Sequence, residues 1–363
     1  MKKAISVFMF LLLCVSLSQA QMLIGGRAAG MGGAGVASTD DISAAYYNPA
    51  ALMRSEVLLT DIKVDLGASY SDLTSLSNAL TNASSPAKFM LDNYASNLNF
   101  NGNLSGLVGI NLRKIGLSVI PIFSAQVAKP ANSFNGYVIA GGHYDGVLTL
   151  GSTFSVPYLP AALDVGVNLK SLNGVAGQIT AVAGTPPTTG SGNQDYGTGS
   201  GTGFDLGVLT SFDVPFVSKV AVGATMRNLS SSYTLKMTRQ VATMDATAGT
   251  TTLGPVQNLP DQIVNLDSST AIGAYATIPV VGVGVAADIE ITKTDTNTHL
   301  GLEYPLLFGV IVLRAGLASG PNLSLTTVGA EVNLKILRLG LVTIADAKNT
   351  GLTNTVADIT FGL

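Results

Sequence analysis

The stretch LTTVGAEVNL, residues 325–334, alternates apolar with polar or small residues along its length. The residues of one face are Val328, Ala330, Val332 and Leu334, and those of the other are Thr327, Gly329, Glu331 and Asn333. An alternation of period two at this length is typical of a β-strand with one face in lipid and the other in a polar lumen. The stretches 163–171 and 219–228 repeat the pattern. Because the outer faces of a soluble sandwich would carry far more charge, these stretches predict a membrane-spanning barrel.

The composition of the chain favours the same fold. Charged residues make up 11% of the sequence, against about 25% in a typical soluble domain, and the mean hydropathy is +0.42. Beyond residue 20, no apolar run reaches the roughly 20 residues that a spanning helix needs. Only helices and closed barrels satisfy the backbone within lipid, so the sequence predicts an all-β, transmembrane antiparallel β-barrel.

The first residues have the features of a secretory signal peptide. Lysines are followed by the apolar stretch 4–17 and by Ser18-Gln19-Ala20, a small-residue cleavage site. We expect residues 1–20 to be removed, which leaves a mature chain that begins at Gln21. Cys14 would leave with the signal, so the mature chain is expected to have no disulfide and no thiolate metal site.

Short turns and longer connections alternate along the rest of the chain. The longer connections are predicted at residues 70–99, 127–136, 172–202, 231–268, 292–296, 318–323 and 347–353. Strands laid between them number about fourteen, each near the ~10 residues that a tilted spanning strand needs. An even count places both ends of the chain on the periplasmic side, where outer-membrane barrels have their short turns. The count requires residues 137–156 to form one long strand, and it changes if a turn lies at His143–Gly146.

A glycine-rich stretch, residues 25–52, precedes the first strand. Within it Gly30, Gly32 and Gly35 have the G-x-G-x-x-G spacing of a dinucleotide-binding loop. That motif has meaning only between a strand and a helix of a βαβ unit, and it lies too near the mature N-terminus to leave room for the strand. We interpret the spacing as a chance match.

Local signals in the same stretch predict a compact, partly helical segment. Ser38 and Asp41 form an S-x-x-D capping box, which predicts a short helix from about Thr39 to Tyr47. Pro49 disfavours helix at the residue before it and turns the chain toward the first strand. Glycine and alanine in the segment would allow close approach to a barrel wall.

The stretch GRAAGMGGAGVASTDDISAAYYNPAAL resembles the N-terminal hatch of the FadL-type outer-membrane fatty-acid transporters. The resemblance rests on Gly26-Arg27-Ala28, Asp40-Asp41 and Asn48-Pro49-Ala50. It implies a barrel of about fourteen strands plugged by this hatch, which agrees with the count obtained from the connections. We therefore expect residues 21–55 to form the hatch and residues 56–363 the barrel. The hatch-motif residues are Gly26, Arg27, Asp40, Asp41, Asn48, Pro49 and Ala50.

Two later segments resemble another branch of the same superfamily. They are GFDLGVLTSF, residues 203–212, and LRAGLASGPNLSLTTVGAEV, residues 313–332. That branch includes the PorV-like proteins of type IX secretion and the TraF-like proteins. The resemblance implies the same fold and leaves the function open between the two branches.

The sequence predicts no catalytic residue, no cofactor and no metal site. It contains no G-x-S-x-G and no H-E-x-x-H motif. His299 and Glu303 share the predicted lumen face, but lumen polarity explains both without catalysis. Asp195 lies in a glycine-rich loop without the oxygen-ligand spacing of a calcium site. The lumen charges are expected to satisfy one another or the hatch, and the protein is expected to be neither an enzyme nor a nucleic-acid-binding protein.

One predicted loop, residues 70–99, carries apolar side chains at helical spacing. They are Leu73, Leu76 and Leu80, and further along Phe89, Met90 and Tyr94. These residues are predicted to contact an apolar ligand or a partner at the outer surface, or to form a cap packed on the barrel rim.

Two hypotheses of function fit these expectations. The first is an outer-membrane barrel for binding or uptake of hydrophobic small molecules, such as a long-chain fatty acid or another hydrocarbon, because a plugged barrel is a poor general porin. The alternative is a barrel of a secretion or surface-assembly system that binds a protein partner and transports nothing. Both place the protein in the bacterial outer membrane, in contact with its lipid and with the outer-membrane assembly machinery.

Overall fold

The computed structural model describes residues 23–55, 61–71, 86–112, 114–155, 161–215, 217–279, 281–350 and 352–362. The predicted signal peptide and its cleavage site lie outside these residues. Within them the chain forms one closed barrel of fourteen antiparallel strands, with little helix. This confirms the all-β barrel fold predicted from the alternating stretches.

The barrel closes because each strand pairs with the next and the last pairs with the first. The first seven barrel strands are β1 (Asp61–Tyr70), β2 (Leu98–Asn111), β3 (Ile115–Lys129), β4 (Gly136–Phe154), β5 (Leu163–Ala183), β6 (Thr189–Val214) and β7 (Val217–Asp245). Three short strands that pair with β7 follow: β8 (Thr250–Leu253), β9 (Gln257–Asn258) and β10 (Gln262–Asn265). The remaining barrel strands are β11 (Ser269–Ile278), β12 (Val283–Thr292), β13 (Thr296–Leu306), β14 (Ile311–Ser319), β15 (Ser324–Asn333), β16 (Leu337–Asp346) and β17 (Thr353–Gly362). β17 pairs with β1 over the whole length of both strands.

The two faces of the strands differ as the alternation predicts. On β15, Val328 and Val332 point outward and are exposed, whereas Thr327 and Glu331 point inward and are buried. Other strands show the same division, with large apolar side chains outside and polar or small side chains inside. Exposed apolar side chains in such a band are typical of a barrel surface that faces lipid.

The segment on which the strand count depends is a single strand. β4 runs through His143–Gly146 without a break and pairs with both β3 and β5 there. The even strand count therefore holds. The start of the first barrel strand and the end of the last one both lie on the side of the short turns. We call that side the turn end, and the opposite side, which carries the longer connections, the loop end.

The predicted loops 172–202 and 231–268 are wrong in part, because strands β5, β6 and β7 continue through them. Ser200 of β6, for example, pairs with Asn173 of β5 on one side and with Thr234 of β7 on the other. These segments are rich in glycine, serine and threonine, but strands that pair with one another satisfy their backbone groups whatever solvent surrounds them.

The outward side chains of β6 show where the lipid-facing band ends. Phe204, Leu206 and Val208 are exposed and apolar, whereas the outward positions Thr198 and Ser200, closer to the loop end, are polar. The parts of β5, β6 and β7 nearest the loop end therefore extend beyond the apolar band.

Residues 23–55 lie inside the barrel, and we call them the hatch segment. They contain helices α1 (Gly26–Gly30) and α2 (Ala44–Tyr47), followed by a 3₁₀-helix at Pro49–Arg54. A third helix, α3 (Pro86–Asp92), lies in the connection between β1 and β2. Among the described residues, no helix has the length and apolarity needed to cross a membrane.

The helix predicted from about Thr39 to Tyr47 is wrong at its start. The Ser38 hydroxyl donates to a backbone carbonyl at 2.6 Å, and the Asp41 carboxylate accepts from the Ser43 amide at 2.8 Å. Side chains of these types compete with the helix by bonding to nearby backbone, so the helix begins only at Ala44. Helix α1 is not predicted from the sequence, because its glycine and alanine residues carry neither a capping side chain nor an apolar stripe.

Candidate functional site in the barrel lumen

The hatch segment lies against a row of inward-facing glycines on the barrel wall, which we call the glycine belt. Its members are Gly109, Gly116, Gly151, Gly166, Gly207, Gly223, Gly273, Gly301, Gly316 and Gly329. Several belong to directly paired positions: Gly166 pairs with Gly151 and with Gly207 on its two neighbours, and Gly301 pairs with Gly316. Where belt glycines are paired in this way, adjacent strands present a patch of wall that carries no side chains.

The belt brings the backbone of the hatch segment into contact with the backbone of the wall. A Cβ atom on Gly316 would overlap the backbone of Met31 and Gly32, and one on Gly166 would overlap the backbone of Pro49 and Ala50. Glycine is required at such positions because no side chain fits between the two chains. The sequence analysis placed Gly166 and Gly329 on the lumen face but did not predict the belt, which depends on the registers of many strands.

Asn48 connects the hatch segment to strand β6. Its side-chain amide donates to the carbonyls of Val36 and Val208 at 3.0 and 3.1 Å, and its oxygen accepts from the Ala50 amide at 3.1 Å. Asn48 is fully buried, so each of these bonds satisfies a group that water does not reach. Pro49 follows at the first position of the 3₁₀-helix, where its missing N–H costs nothing.

Arg27 is the centre of an ion-pair network that crosses from the hatch segment to the wall. Its guanidinium pairs with Asp40 of the hatch and with Glu303 of β13, and lies 5.3 Å from the centre of the Tyr275 ring. Glu303 also accepts from Arg314 at 3.2 Å, which extends the network along the wall. Because Arg27, Glu303 and Arg314 are largely buried, each of these three charges needs its partners.

Asp41 makes a second charged contact with the wall. Its carboxylate lies 2.6 Å from the Lys63 ammonium of β1, and Lys63 lies 3.4 Å from Asp358 of β17. Burial alone would raise the pKa of the Asp41 carboxyl, but Lys63 and Arg338 together hold this pKa well below its usual value. The Asp41 carboxyl is therefore ionised at neutral pH, and it accepts from the Lys63 ammonium. Gly26 lies beside Asp358, where a Cβ atom would overlap the carboxylate.

Polar side chains of the wall also bind the backbone of the hatch segment directly. The Thr327 hydroxyl accepts from the Gly32 amide at 3.0 Å and lies 2.9 Å from the Gly30 carbonyl. His299 Nδ1 lies 2.8 Å from the Gly32 carbonyl, and Asp288 accepts from the Val36 amide at 2.8 Å. These contacts confirm that lumen charges satisfy the hatch, and they give His299 a structural partner in place of the acid–base role considered from sequence.

Other lumen charges satisfy one another, as predicted. Lys170 pairs with Asp205 at 2.9 Å, and His143 Nδ1 lies 2.7 Å from Asp145. Arg227 pairs with Glu290 and stacks on the Tyr46 ring of the hatch segment. In the part of the chain that the structure describes, no group of three or more His, Cys, Asp or Glu side chains is placed to hold a metal ion.

Toward the loop end, apolar side chains from β2, β3, β4, β5, β7, α3 and the connection between β3 and β4 form a buried group, which we call the loop-end cluster. Its members are Ala87, Phe89, Met90, Leu91, Leu98, Phe100, Val127, Phe134, Val138, Ile179, Ala181, Ala242 and Met244. Phe89 and Met90 are buried in it, and Tyr94 packs against it with its ring 4.9 Å from that of Phe134. The other three predicted contact residues, Leu73, Leu76 and Leu80, lie outside the described residues.

A buried lysine ties the connections that cover the loop-end cluster. The Lys129 ammonium donates to the carbonyls of Tyr94 and Pro130, each at 2.8 Å, and to that of Ser133 at 3.3 Å. It thereby joins the segment after α3 to the connection between β3 and β4, which carries Phe134 into the cluster. Sequence reasoning did not find Lys129, because only the folded chain brings these carbonyls together.

The wall between the hatch segment and the lipid is irregular at β2 and β3. Between Ser105 and Val108 of β2 the pairing with β3 is interrupted, opposite Ile120 and Pro121. Pro121 has no N–H to donate to a neighbouring strand. A groove of about 760 Å³ opens on the outer surface nearby, and its apolar lining includes Ile62, Val108, Leu117, Val119, Leu148 and Leu169. Inside the barrel at the same place, Gly109 and Gly116 lie against Ile42 of the hatch segment.

Solved structures with the same fold are hydrocarbon channels by their names. The toluene transporter TodX of Pseudomonas putida is 12% identical, with a TM-score of 0.56 over 93% of this chain and 98% of TodX. The CymD monoaromatic hydrocarbon channel is also 12% identical, with a TM-score of 0.57 over 94% and 98% of the two chains. The toluene transporter TbuX of Ralstonia pickettii is 14% identical, with a TM-score of 0.52 over 95% and 100%. No protein-family model and no curated protein matches the chain by sequence.

These comparisons establish the class of the fold. The chain forms a closed fourteen-stranded barrel with the fold of TodX, CymD and TbuX, which is the fold that the resemblance of its hatch sequence implies. At identities this low, the similarity defines the fold and not the substrate.

Proposed function

We propose that the protein is an outer-membrane channel for hydrophobic small molecules of the hydrocarbon class, and that the hatch segment moves to let them pass. The observation that carries the proposal is the order of two layers in the lumen. An apolar loop-end cluster lies toward the loop end. Beneath it lies the hatch segment, which is held by ion pairs, hydrogen bonds and glycine-belt contacts as well as by apolar contacts with the wall. The names of TodX, CymD and TbuX favour the same class of ligand.

The loop-end cluster supports capture of an apolar ligand. Burying apolar surface is favourable by roughly 25 cal/mol per Å², so a hydrocarbon that replaces side-chain contacts among Phe89, Phe100 and Phe134 gains most of its binding energy from desolvation. The cluster includes flexible Met90 and Met244, and methionine adapts to irregular apolar partners. A polar solute would gain nothing from this layer.

The contacts of the hatch segment suit a part that moves. At Gly166 and Gly316 the contacts of the glycine belt are backbone on backbone, so no wall side chain blocks a shift of the hatch segment at these positions. Hydrogen bonds such as those of Asn48 and Thr327 contribute a net ~0.5–1.5 kcal/mol each, because water replaces them when they open. The hatch can thus be stable at rest and still open under the binding energy of a ligand.

The irregular wall at β2 and β3 supports a path from the lumen into lipid. The interrupted pairing near Pro121 and the apolar groove outside Gly109 lie where Ile42 of the hatch segment closes the inner side. A hydrocarbon that displaces Ile42 would meet apolar surface on its way out and would not have to enter water.

A specific observation favours the alternative, a barrel that binds a protein partner. The parts of β5, β6 and β7 nearest the loop end extend beyond the lipid-facing band, and apolar side chains such as Val182, Val241 and Ile263 are exposed at that end. An exposed strand surface with scattered apolar residues can bind another protein. Such a partner would be retained whether or not anything enters the lumen.

Native purification in mild detergent, followed by mass spectrometry of co-purifying molecules, tests the two functions together. We expect an apolar small molecule to be retained by the native protein and lost in Met90→Asp, which puts a charge into the loop-end cluster. Lys88→Gln, on the exposed side of the same helix, is the matched control and should retain the molecule. A stoichiometric protein partner with an empty lumen would overturn the channel and establish the alternative.

A further inference from the structure

The turn between β13 and β14 exposes apolar side chains at the turn end. Phe308 is 109% exposed and Leu307 is 66% exposed, and Val310 beyond them is also exposed. In the neighbouring turn between β15 and β16, Ile336 is 64% exposed and Leu334 is exposed as well. We call these side chains the apolar turn tips.

The backbone of the first turn is strained in the position that exposes them. Leu307 has a φ of 48° and Phe308 a φ of 57°, both in the left-handed region. Residues with a Cβ atom rarely adopt this conformation, and glycine would adopt it at no cost. The turn itself would be less strained with glycine at these two positions, so leucine and phenylalanine there need a reason other than the turn.

The apolar turn tips continue the lipid-facing band of the barrel. Next to the turn, Tyr304 of β13 and its partner Leu313 of β14 point outward and are exposed, and Leu302 is the next outward residue of β13. At the other end of β14 the outward residue after Leu317 is Ser319, which marks the polar edge of the band. The band is thus bounded by polar residues at the loop end and runs without interruption into the turn at the other end.

The height of the band shows what the turn tips contribute. Along β14 the strand from Ile311 to Leu317 spans only about 16 Å of membrane thickness, at ~3.4 Å per residue and a tilt of ~40°. The apolar band of an outer-membrane barrel is about 25 Å tall. A barrel wall that is too short for the hydrocarbon must either thin the bilayer or add apolar groups at its edge.

We propose that the apolar turn tips insert into the lipid leaflet at the turn end and complete the hydrophobic height of the β13–β16 side of the barrel. The partner of this surface is the acyl-chain region of the bilayer. The inference does not depend on what passes through the lumen.

Tryptophan fluorescence tests the proposal without background, because the native sequence contains no tryptophan. Phe308→Trp is measured in the full-length protein folded into phospholipid vesicles, with folding verified by heat-modifiable gel mobility. Leu302→Trp serves as the lipid-facing control and Ser200→Trp as the aqueous control.

We expect the emission of Phe308→Trp to be blue-shifted, strongly quenched by lipids brominated on their acyl chains and weakly quenched by aqueous iodide, as in Leu302→Trp. Emission and quenching like those of Ser200→Trp would overturn the proposal and would place the turn in water, where a protein could cover it. Ile336→Trp repeats the test in the neighbouring turn, at a residue outside the strained segment. It decides the question if Phe308→Trp does not fold.

Discussion

The hatch segment and the loop-end cluster lie in the same lumen, but the contacts that hold them differ in kind. The hatch segment meets the wall through the glycine belt, through hydrogen bonds such as those of Asn48, and through the Arg27 and Asp41 ion pairs, in addition to apolar contacts such as those of Ile42. The loop-end cluster consists of buried apolar side chains, the largest of which are phenylalanine, methionine and leucine. Polar and backbone contacts are exchanged for water when a segment moves, whereas apolar side chains are exchanged for an apolar ligand. We therefore infer that the hatch segment is suited to move and that the loop-end cluster is suited to bind an apolar ligand.

Removal of the hatch segment gives the largest expected effect. Deletion of residues 25–50 should leave a barrel that assembles, because the strands pair with one another without the hatch. Its lumen should change from closed to conducting in planar-bilayer recordings. An assembled barrel whose conductance equals that of the native protein would show that the segment does not block the lumen.

A methyl group on the glycine belt should displace the hatch without removing it. Gly316→Ala would overlap the backbone of Met31 and Gly32, and overpacking of this kind costs about 1–3 kcal/mol. We expect increased conductance and faster amide exchange in residues 26–36. Gly146→Ala is the matched control, because a Cβ atom there lies 3.9 Å from its nearest neighbours. Equal behaviour of the two variants would contradict a role of the belt as the seat of the hatch.

Asn48→Ala should loosen the hatch segment at one point. The change leaves the carbonyls of Val36 and Val208 without their donor, and a buried unsatisfied group costs about 1–3 kcal/mol. Hydrogen exchange followed by mass spectrometry should show lower protection in residues 44–54. Asn322→Ala, at an exposed loop asparagine, should change stability by less than about 0.5 kcal/mol. Unchanged protection in Asn48→Ala would mean that the glycine belt alone holds this segment.

Lys129→Met should loosen the loop-end layer and leave the hatch segment unchanged, and it is the smallest of the expected effects. Methionine keeps the apolar stem and removes the ammonium that joins three carbonyls, at a local cost on the order of 1 kcal/mol. We expect faster amide exchange in residues 86–98 and 131–135, with exchange in the hatch segment unchanged. Faster exchange in both layers would show that they are coupled and would weaken the comparison.

The sequence predicts the barrel well because a period of two depends only on which face of a strand meets lipid. The alternation around Val328, the single strand β4 and the alternation of short turns with longer connections follow from this local rule. The resemblance to a known hatch also predicts that the segment before the first strand lies in the barrel, and residues 23–55 lie there in contact with charges of the lumen. Gly26, Arg27, Asp40, Asp41, Asn48, Pro49 and Ala50 all lie in the hatch, and several of them bind the wall; their part in gating stays a prediction.

The remaining features of the site depend on contacts between residues that are far apart in the chain, which local sequence patterns do not predict. The glycine belt requires the register of each strand against the next, so Gly316 looks like any other small lumen residue in the sequence. Lys129 is bound by carbonyls from two connections that are far apart in the chain. The extension of β5 to β7 beyond lipid was missed because serine, threonine and glycine predict loops unless a neighbouring strand pairs with them.

A reversible disulfide between hatch and wall tests most directly whether the hatch must move for uptake. A Cβ atom on Gly109 would lie 2.7 Å from Ile42 Cγ1, which brings the double variant Ile42→Cys, Gly109→Cys close to the ~3.5–4.5 Å Cβ separation of a disulfide. Uptake of radiolabelled toluene is measured in cells without another hydrocarbon channel, with each single variant as control. We predict that the oxidised double variant blocks uptake and that a reducing agent restores it. Equal uptake by the oxidised and reduced protein would contradict passage through a moving hatch.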